Sequence, residues 1–332
     1  MSDTKPVTDP KVLVKQLLAP IAEDMQAVTE IIQSELASDV PRMKEISEYI
    51  VNAGGKRMRP ALLMLIAKAL GYEGELHRYL GATIELLHTA TLMHDDVVDE
   101  SDLRRGRPTA NNRWGNGVAV LVGDFLYTRS FQMMIRAGNL KVMEALSDAA
   151  NRLSEGEVIQ MTNAHDPNVD EVRYFQVIER KTACLFEAAA RMAAAISDAT
   201  PEALHAVCTY SLALGNAFQI ADDMLDYQGV TADIGKNLGA DLREGKVTLP
   251  LLYARQSVSE ADREIIDKAI REGDGDFETI SALIVNSDAL QRCQERARRE
   301  LARGATALKV LAPSPYRDSL LQLLTYTVER NS

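Results

Sequence analysis

Two acid clusters of the same form, residues 95–99 and 222–226, constrain the fold of this chain more than any other feature. Both read Asp-Asp-apolar-apolar-Asp, and each lies inside an apolar segment with helical periodicity. On a helix, the first and last Asp of such a cluster lie on one face, where their charges repel and favour a compensating cation. The pattern predicts two long helices that each end in an acid cluster and that together hold divalent metal.

Apolar residues recur at spacings of three and four along nearly the whole chain, which predicts an all-α fold. Strand-like alternation is nearly absent, and no linker divides the chain, so we expect one domain over residues 1–332, a single large helical bundle with a flexible segment 1–10. Thr200 and Ser314, each followed by proline, are predicted helix caps. Helices are predicted near residues 12–36, 41–53, 57–71, 76–99, 117–137, 140–162, 170–196, 201–228, 246–256, 260–271, 276–284, 287–310 and 314–329.

The composition argues against several classes of function. A net charge of −11 with no basic arm or stripe disfavours nucleic acid as a general partner. Three scattered cysteines without a CxxC pair argue against a disulfide framework or a zinc site. The N-terminus lacks the apolar core of a signal peptide, and no uncharged stretch approaches the length of a transmembrane segment. The cytosol is the expected location.

Basic, glycine-containing loops follow both acid clusters. Residues 104–108 follow the first cluster with three arginines, and residues 235–246 follow the second with two lysines. A third basic segment, residues 54–60, opens a predicted helix. Magnesium binds through one or two carboxylates, completes its shell with water and phosphate oxygens, and can neutralise a departing diphosphate as a Lewis acid. These residues therefore predict a magnesium site for a diphosphate leaving group.

Five ordered motifs carry a resemblance to a known family. They are GGKRMRP at 54–60, LLHTATLMHDDVVDESDLRRG at 86–106, KT at 181–182, FQIADDMLD at 218–226 and GKNLGADLREGKVTLP at 235–250. In type, order and spacing they resemble the trans-isoprenyl diphosphate synthases, and the resemblance runs from about residue 12 to 330. Residues 121–134 are most similar to bacterial members that make the octaprenyl side chain of respiratory quinones.

The resemblance implies the isoprenoid synthase fold, a helical bundle with a central active-site cavity. It implies two or three Mg²⁺ ions for each site, which assist the ionisation of an allylic diphosphate such as farnesyl diphosphate. Isopentenyl diphosphate then attacks the allylic carbocation, and the lengthened product reacts again. A homodimer is the expected assembly. The long product is insoluble in water, so we expect a peripheral contact with membrane where the product is released.

The resemblance also implies roles at the matching positions. Carboxylates would hold metal from two sides, namely Asp95, Asp96 and Asp99 on one and Asp222 and Asp226 on the other. Isopentenyl diphosphate would be bound by Lys56, Arg59, His88 and Arg105. The allylic diphosphate would be bound by Arg104, Lys181, Thr182, Gln219, Lys236 and Lys246. Lys181, Thr182 and Gln219 would also be catalytic, by placing charge or oriented dipoles near the carbocation.

Small residues before the first acid cluster favour a long product. Ala90 and Thr91 lie five and four positions before Asp95, in the turn below the predicted metals. A Phe or Tyr there would close the product tunnel early, as in short-chain members of the family. Phe131 and Met134, spaced by three on the next long helix, are predicted to form the floor of the tunnel.

Three other functions are compatible with parts of the pattern. A class I terpene cyclase uses similar metal-triggered ionisation, but it needs no second diphosphate site. A non-catalytic subunit of a heteromeric synthase would be expected to lose its acid clusters, and this chain keeps both. A helical scaffold could carry the clusters as surface features. The sequence leaves open the exact product length, the preferred primer and the quinone that receives the chain.

Overall fold

The computed structural model of the chain describes residues 10–228 and 239–329, which are helical almost throughout. The all-α prediction is confirmed. The described residues contain one short hairpin, formed by β1 (Leu103–Arg104) and β2 (Arg107–Pro108). The helices are α1 (Pro10–Leu18), α2 (Ala22–Glu35), α3 (Pro41–Val51), α4 (Met58–Ala69), α5 (Leu76–Val98), α6 (Ala110–Trp114), α7 (Asn116–Ala137), α8 (Leu140–Asn163), α9 (Glu171–Ile178), α10 (Cys184–Ile196), α11 (Pro201–Gln228), α12 (Ala240–Arg243), α13 (Leu249–Ser257), α14 (Glu260–Glu272), α15 (Phe277–Asn286), α16 (Ala289–Ala307) and α17 (Pro315–Glu329).

Three predicted helices differ from the structure in detail. The single helix predicted over 12–36 is wrong, because a 3₁₀ turn, Ala19–Ile21, separates α1 from α2. Pro20 lies in this turn, and proline has no N–H with which to continue the α-helical hydrogen bonds. The predicted stretch 170–196 is continuous but includes a turn of π-helix, Glu179–Ala183. The helix predicted over 246–256 begins only at Leu249.

The two predicted helix caps are confirmed. The Thr200 hydroxyl accepts a hydrogen bond from the backbone N–H of Ala203 at 3.2 Å. The Ser314 hydroxyl accepts one from the N–H of Arg317 at 3.1 Å. Each hydroxyl satisfies an N–H group that lacks a carbonyl partner in the first turn of its helix, and this fixes where α11 and α17 begin.

The core consists of two hydrophobic clusters that meet along α11. The larger cluster joins α4, α5, α7, α8 and α10, and residues 61–67 of α4 are fully buried in it. The smaller cluster joins the second half of α11 to α13, α14, α15 and α16. The first half of α11 contributes Tyr210 and Leu214 to the larger cluster, whereas the second half contributes Ile220 and Met224 to the smaller one. This shared helix carries the second acid cluster at its C-terminal end.

None of the helices in the described part of the chain combines the length and the apolar character that a membrane span requires.

Candidate active site

A cavity of about 740 Å³ lies between the C-terminal ends of α5 and α11, where the two acid clusters face it. The segment 54–60 and the hairpin after the first cluster contribute further walls. The fold therefore brings together motifs that are far apart in the sequence. The predicted site residues that line this cavity are Lys56, Arg59, His88, Thr91, Asp95, Asp99, Arg104, Arg105, Lys181, Thr182, Gln219, Asp222, Asp226 and Lys246.

Asp96 lies behind the cavity wall rather than in it. Its side chain is buried, and its Oδ1 accepts a hydrogen bond from Nε of Arg104 at 2.7 Å. Its backbone carbonyl accepts a second from the side-chain amide of Asn111 at 3.1 Å. These contacts tie the end of α5 to the hairpin and to α6, so Asp96 fixes the arginine-bearing turn.

Of the four predicted chain-length residues, only Thr91 is among the described residues that line the cavity. Thr91 lines the cavity, whereas Ala90 is fully buried and is not among the described residues that line it. Met134 is buried in the larger core cluster, and Phe131 packs against that cluster with its ring stacked on Tyr127. The tunnel floor therefore stays a prediction. Lys236 lies outside the described residues.

The first acid cluster combines a buried carboxyl group with one paired to a lysine. Burial raises the pKa of Asp95 to about 6, from an ordinary value of 3.8, although the nearby Lys181 opposes the shift. Nζ of Lys246 lies 3.2 Å from Oδ2 of Asp99. Negative charge is therefore costly at Asp95, and a cation next to it would stabilise the ionised form.

The segment 239–246 connects the two acid clusters. The Asp226 carboxylate accepts hydrogen bonds from the backbone N–H groups of Gly239, at 3.1 Å, and Asp241, at 3.3 Å. At the other end of the segment, Lys246 reaches Asp99. Burial lowers the pKa of Lys246, but Asp241, Asp99 and Glu244 together raise it above its ordinary value, so this lysine stays charged.

The donor set of the acid clusters suits magnesium. Within residues 10–228 and 239–329, no group of three or more His, Cys, Asp or Glu side chains is close enough to hold a metal ion alone. Magnesium does not require such a cage, because water and phosphate oxygens fill most of its octahedral shell. Asp95, Asp99 and Asp222 line the cavity, and their carboxylate oxygens are hard ligands of the kind that such an ion prefers.

Gly55 allows the hairpin to approach the segment 54–60 closely. A Cβ atom at this position would lie 2.7 Å from Nη1 of Arg105 and 2.8 Å from Nη2. Arg105 occupies the first position of the two-residue turn between β1 and β2, where it and Gly106 have φ values of 54° and 71°. Such left-handed pairs match the twist of a hairpin. The turn directs the Arg105 guanidinium across the glycine.

Arg59 and His88 extend this basic region toward α10. The Arg59 guanidinium lies 4.8 Å from the ring centroid of Phe186, and its Nε is buried without a hydrogen-bond partner among the described residues. Burial lowers the pKa of Arg59 to about 10. Burial, together with Arg59 and Arg105, lowers the pKa of His88 well below its usual value. His88 is therefore a neutral hydrogen-bonding group beside permanent positive charge.

Two glycines on neighbouring helices allow close backbone packing against the π-helical turn that carries Lys181 and Thr182. A Cβ atom on Gly156 of α8 would lie 2.9 Å from the backbone nitrogen of Lys181. A Cβ atom on Gly215 of α11 would lie 2.7 Å from Cα of Ala183. The backbones of three helices therefore meet without intervening side chains, and this contact fixes which turn faces the cavity.

A hydrogen-bond chain that runs from the cavity wall to the buried Asp223 orients the polar groups beside this turn. The Thr182 hydroxyl donates to Oε1 of Gln219 at 2.8 Å, and Nε2 of Gln219 donates to Asp223 at 2.8 Å. The Tyr174 hydroxyl donates to the other oxygen of Asp223 at 2.7 Å. Burial raises the pKa of Asp223 well above its ordinary value. The chain fixes the orientation of the Gln219 amide at the cavity wall.

Four residues in or beside the cavity were not predicted from the sequence. Tyr174 and Asp223 complete the chain described above, and Glu85 lies among the arginines of the cavity. Glu157 is not among the described residues that line the cavity, but it pairs with Lys181 at 2.7 Å. Asp223 follows Gln219 by four positions and Glu85 precedes His88 by three, so helical spacing places each pair on one face. Tyr174 and Glu157 carry no such local signal, because their partners come from other helices.

Comparison with known proteins agrees with this geometry. The model of the family described as polyprenyl synthetase matches residues 40–286. The chain is 46% identical to the octaprenyl diphosphate synthase of Escherichia coli (strain K12), over 93% of this chain and 97% of that relative. A polyprenyl synthase from Caulobacter crescentus CB15, solved with calcium and isoprenyl diphosphate, superposes with a TM-score of 0.93, 38% identity, and coverage of 96% and 98%. A decaprenyl diphosphate synthase from Rhodobacter capsulatus gives a TM-score of 0.91, 43% identity, and coverage of 96% and 99%.

An all-helical protein whose two acid clusters and two basic regions face one cavity is built to act on diphosphates with metal. The chain belongs to the polyprenyl synthetase family, whose members are prenyltransferases that use divalent metal ions.

Proposed function

We propose that this chain is a long-chain all-trans polyprenyl diphosphate synthase that adds isopentenyl diphosphate repeatedly to farnesyl diphosphate, with octaprenyl diphosphate as its product for a quinone side chain. The observation that carries this proposal is the arrangement of one cavity between two acid clusters and two separate basic regions. Two basic regions suit two diphosphates, whereas a terpene cyclase needs only one.

The acid clusters would hold two or three Mg²⁺ ions through Asp95, Asp99 and Asp222. When bound, these ions would withdraw charge from the allylic diphosphate as its carbon–oxygen bond breaks. Asp226 contributes by holding the segment 239–246 in place through its backbone hydrogen bonds. Lys246 and Lys181 contact the released diphosphate as point charges, after leaving Asp99 and Glu157.

The π-helical turn stabilises the carbocation that remains after the diphosphate has left. Gln219 and Thr182 present oriented dipoles at the cavity wall, because the chain to Asp223 prevents the amide from turning. Groups that need no reorganisation stabilise developing charge most effectively. No side chain is required as a nucleophile, since the double bond of isopentenyl diphosphate forms the new carbon–carbon bond. The proton lost from that unit passes to the released diphosphate.

The basic region around Gly55 binds isopentenyl diphosphate. Arg59 and Arg105 offer planar guanidinium groups for its oxygens, and Lys56 adds a third charge. His88 is neutral and donates a hydrogen bond without adding charge. Fixing the double bond near the allylic carbon supplies the proximity that this reaction needs.

We further propose that two copies of the chain associate in the cytosol. Large apolar side chains are exposed along α7 and at the start of α8, with Leu121 63% exposed, Ile135 63% and Leu140 80%. A surface of this kind on the two long helices suits a second copy of the same face. Release of the insoluble product would then need a membrane or a detergent, and turnover should rise when either is present. Sedimentation equilibrium tests the dimer directly.

The proposed function is tested by incubating purified protein with farnesyl diphosphate, labelled isopentenyl diphosphate and magnesium, and by separating the products by length. A ladder that ends near eight isoprene units is expected. A shorter end point would keep the reaction but refute the octaprenyl assignment. Absence of magnesium-dependent incorporation would refute the proposal as a whole.

A further inference from the structure

His165 lies in the turn between α8 and α9 and contacts two other turns of the chain. Its backbone N–H donates to the carbonyl of Gly245 at 2.9 Å. Its ring nitrogen Nδ1 lies 3.0 Å from the carbonyl oxygen of Ile270, near the end of α14. Because a carbonyl can only accept, Nδ1 carries the proton in this contact. One residue therefore joins three turns that are distant in the sequence.

The two partner turns are shaped to receive the imidazole ring. A Cβ atom on Gly245 would lie 2.5 Å from Cε1 of His165, and one on Gly273 would lie 2.8 Å from the same atom. Both glycines have left-handed backbones, with φ of 69° and 61°. His165 itself has φ of 64°, a conformation that histidine tolerates better than most residues. The ring thus lies where only glycine leaves room for it.

The Gly245 turn carries the lysine that lies between the two acid clusters. Lys246 follows it directly and contacts Asp99, while the same segment binds Asp226 through the N–H groups of Gly239 and Asp241. The backbone N–H of Lys246 also donates to the carbonyl of Asp241 at 2.8 Å. A displacement of Gly245 would therefore move Lys246 relative to both clusters.

The turn that bears His165 is itself firmly held. Asn163 and Ala164 line the cavity. Arg173 of α9 donates to Oδ1 of Asn163 at 3.1 Å from its Nε, and its Nη1 lies 2.7 Å from Oδ2 of Asp166. His165 therefore supports the Gly245 turn from a fixed base rather than from a loose loop.

We infer that His165 is a positioning residue that sets the place of Lys246 at the allylic diphosphate site. His165 is not among the described residues that line the cavity, and it acts through the backbone of Gly245. This inference rests on the proposed function for the identity of the substrate, but the geometry concerns any diphosphate bound with magnesium between the acid clusters. Removal of a group that orients a ligand-binding residue typically lowers ligand affinity by about tenfold or more.

Two substitutions at His165 separate the effect of losing the imidazole ring from the effect of straining the left-handed backbone. His165→Gly removes the ring but accepts the left-handed φ, so its effect does not come from backbone strain. His165→Asn keeps a side-chain N–H donor and also tolerates this φ. His205→Asn, at an exposed position in the first turns of α11, serves as the matched control.

The test measures binding of inorganic diphosphate by calorimetry in the presence of magnesium, together with KM for both substrates. We expect His165→Gly to weaken diphosphate binding and raise KM for farnesyl diphosphate about tenfold, with KM for isopentenyl diphosphate unchanged. His165→Asn should remain within about twofold of the unmodified protein, since it restores the donor. Unchanged diphosphate affinity in His165→Gly, or equal increases in both KM values, would overturn the inference.

A double substitution tests the route through Lys246. If His165 acts by placing this lysine, His165→Gly should cause no further loss in a Lys246→Ala background. Additive losses would contradict the inference. Should the unmodified protein incorporate no isopentenyl diphosphate, the proposed function fails, while the calorimetric titration with inorganic diphosphate still decides the role of His165.

Discussion

The two basic regions of the cavity hold their positive charges in opposite ways. On the allylic side, Lys181, Lys246 and Arg104 each pair with a carboxylate, namely Glu157, Asp99 and Asp96. On the isopentenyl side, Lys56 lies 5.2 Å from the ring centroid of Tyr326, Arg59 lies over Phe186, and Arg105 lies across Gly55. Among the described residues, no carboxylate oxygen lies within 4.0 Å of a charged nitrogen of these three side chains.

This difference indicates how each region receives its diphosphate. The allylic side must exchange existing ion pairs for new ones, and a bound divalent ion makes the exchange favourable by compensating Asp99 and its neighbours. The isopentenyl side has no such ion pairs to exchange. Glu85 lies among its arginines, but burial raises the pKa of this carboxyl group and so disfavours its negative charge, which leaves a cationic pocket for an anion. Aromatic rings and a glycine hold these cations in place without neutralising them. We therefore expect the same substrate group to be bound with metal on one side and without metal on the other.

The largest expected effect comes from removing one metal ligand on the allylic side. Asp95→Asn should lower kcat roughly thousandfold, because charge developing on the leaving group loses its compensation. Affinity for isopentenyl diphosphate, measured by calorimetry, should stay within about twofold, since the other region keeps its charges. Asp318→Asn, at an exposed position in the first turn of α17, is the control. A parallel loss of isopentenyl diphosphate binding would show that the two regions do not act separately.

Gly55→Ala should affect the opposite side. The added Cβ would displace the Arg105 guanidinium, so KM for isopentenyl diphosphate should rise about tenfold while KM for the allylic substrate hardly changes. Gly71→Ala provides a matched control, because Gly71 also has a left-handed φ, of 82°, but a Cβ there meets nothing within 4 Å. Both variants place a Cβ atom at a positive φ, 149° at Gly55 and 82° at Gly71, which costs about 1–3 kcal/mol. Equal KM values for isopentenyl diphosphate in Gly55→Ala and Gly71→Ala would exclude the steric role of Gly55.

The raised pKa of Asp95 predicts a pH dependence on the metal-binding side. Protons compete with magnesium for this carboxylate, so apparent magnesium affinity should fall as pH is lowered through about 6 and stay level above it. In the absence of metal, the stability of the fold depends on pH in the opposite direction from the magnesium affinity. The folded protein binds this proton more tightly than the unfolded chain, so the stabilisation from protonated Asp95 is lost as pH rises through about 6.

Magnesium titrations followed by intrinsic fluorescence at about pH 5 and about pH 8 should therefore differ by roughly tenfold in affinity. Asp95→Asn should remove the pH-dependent part, because it cannot ionise. A pH dependence that survives this substitution would assign the effect to another carboxyl group.

Substitutions at residues that contact neither diphosphate should change the product length. Of the predicted effects on rate, theirs should be the smallest. Thr91 lines the cavity whereas Ala90 lies in the core, so Thr91→Phe should shorten the ladder more than Ala90→Phe, which should mainly destabilise the fold by overpacking. Phe131→Ala should lengthen the distribution if Phe131 forms part of the floor. Chromatography of the products decides both, and an unchanged distribution in Phe131→Ala would remove that residue from the floor.

Features that depend on local pattern were predictable from the sequence, and those that depend on close approach between helices were not. The acid clusters on helix ends and the Thr200 cap follow from spacing and residue type. The break at Pro20 also had a local signal, but the apolar periodicity on both sides concealed it. In contrast, the π-helical turn at Lys181 depends on Gly156 and Gly215 from other helices. No one-dimensional pattern records which glycine faces which backbone.

Calorimetric titration of each substrate with and without magnesium tests the contrast between the two regions most directly. The titrants are isopentenyl diphosphate and a farnesyl analogue with a non-cleavable diphosphate linkage. We predict that isopentenyl diphosphate binds with the same Kd, within about twofold, in either condition. The farnesyl analogue should lose at least about a hundredfold in affinity when magnesium is removed. Equal dependence of both ligands on magnesium would contradict the account.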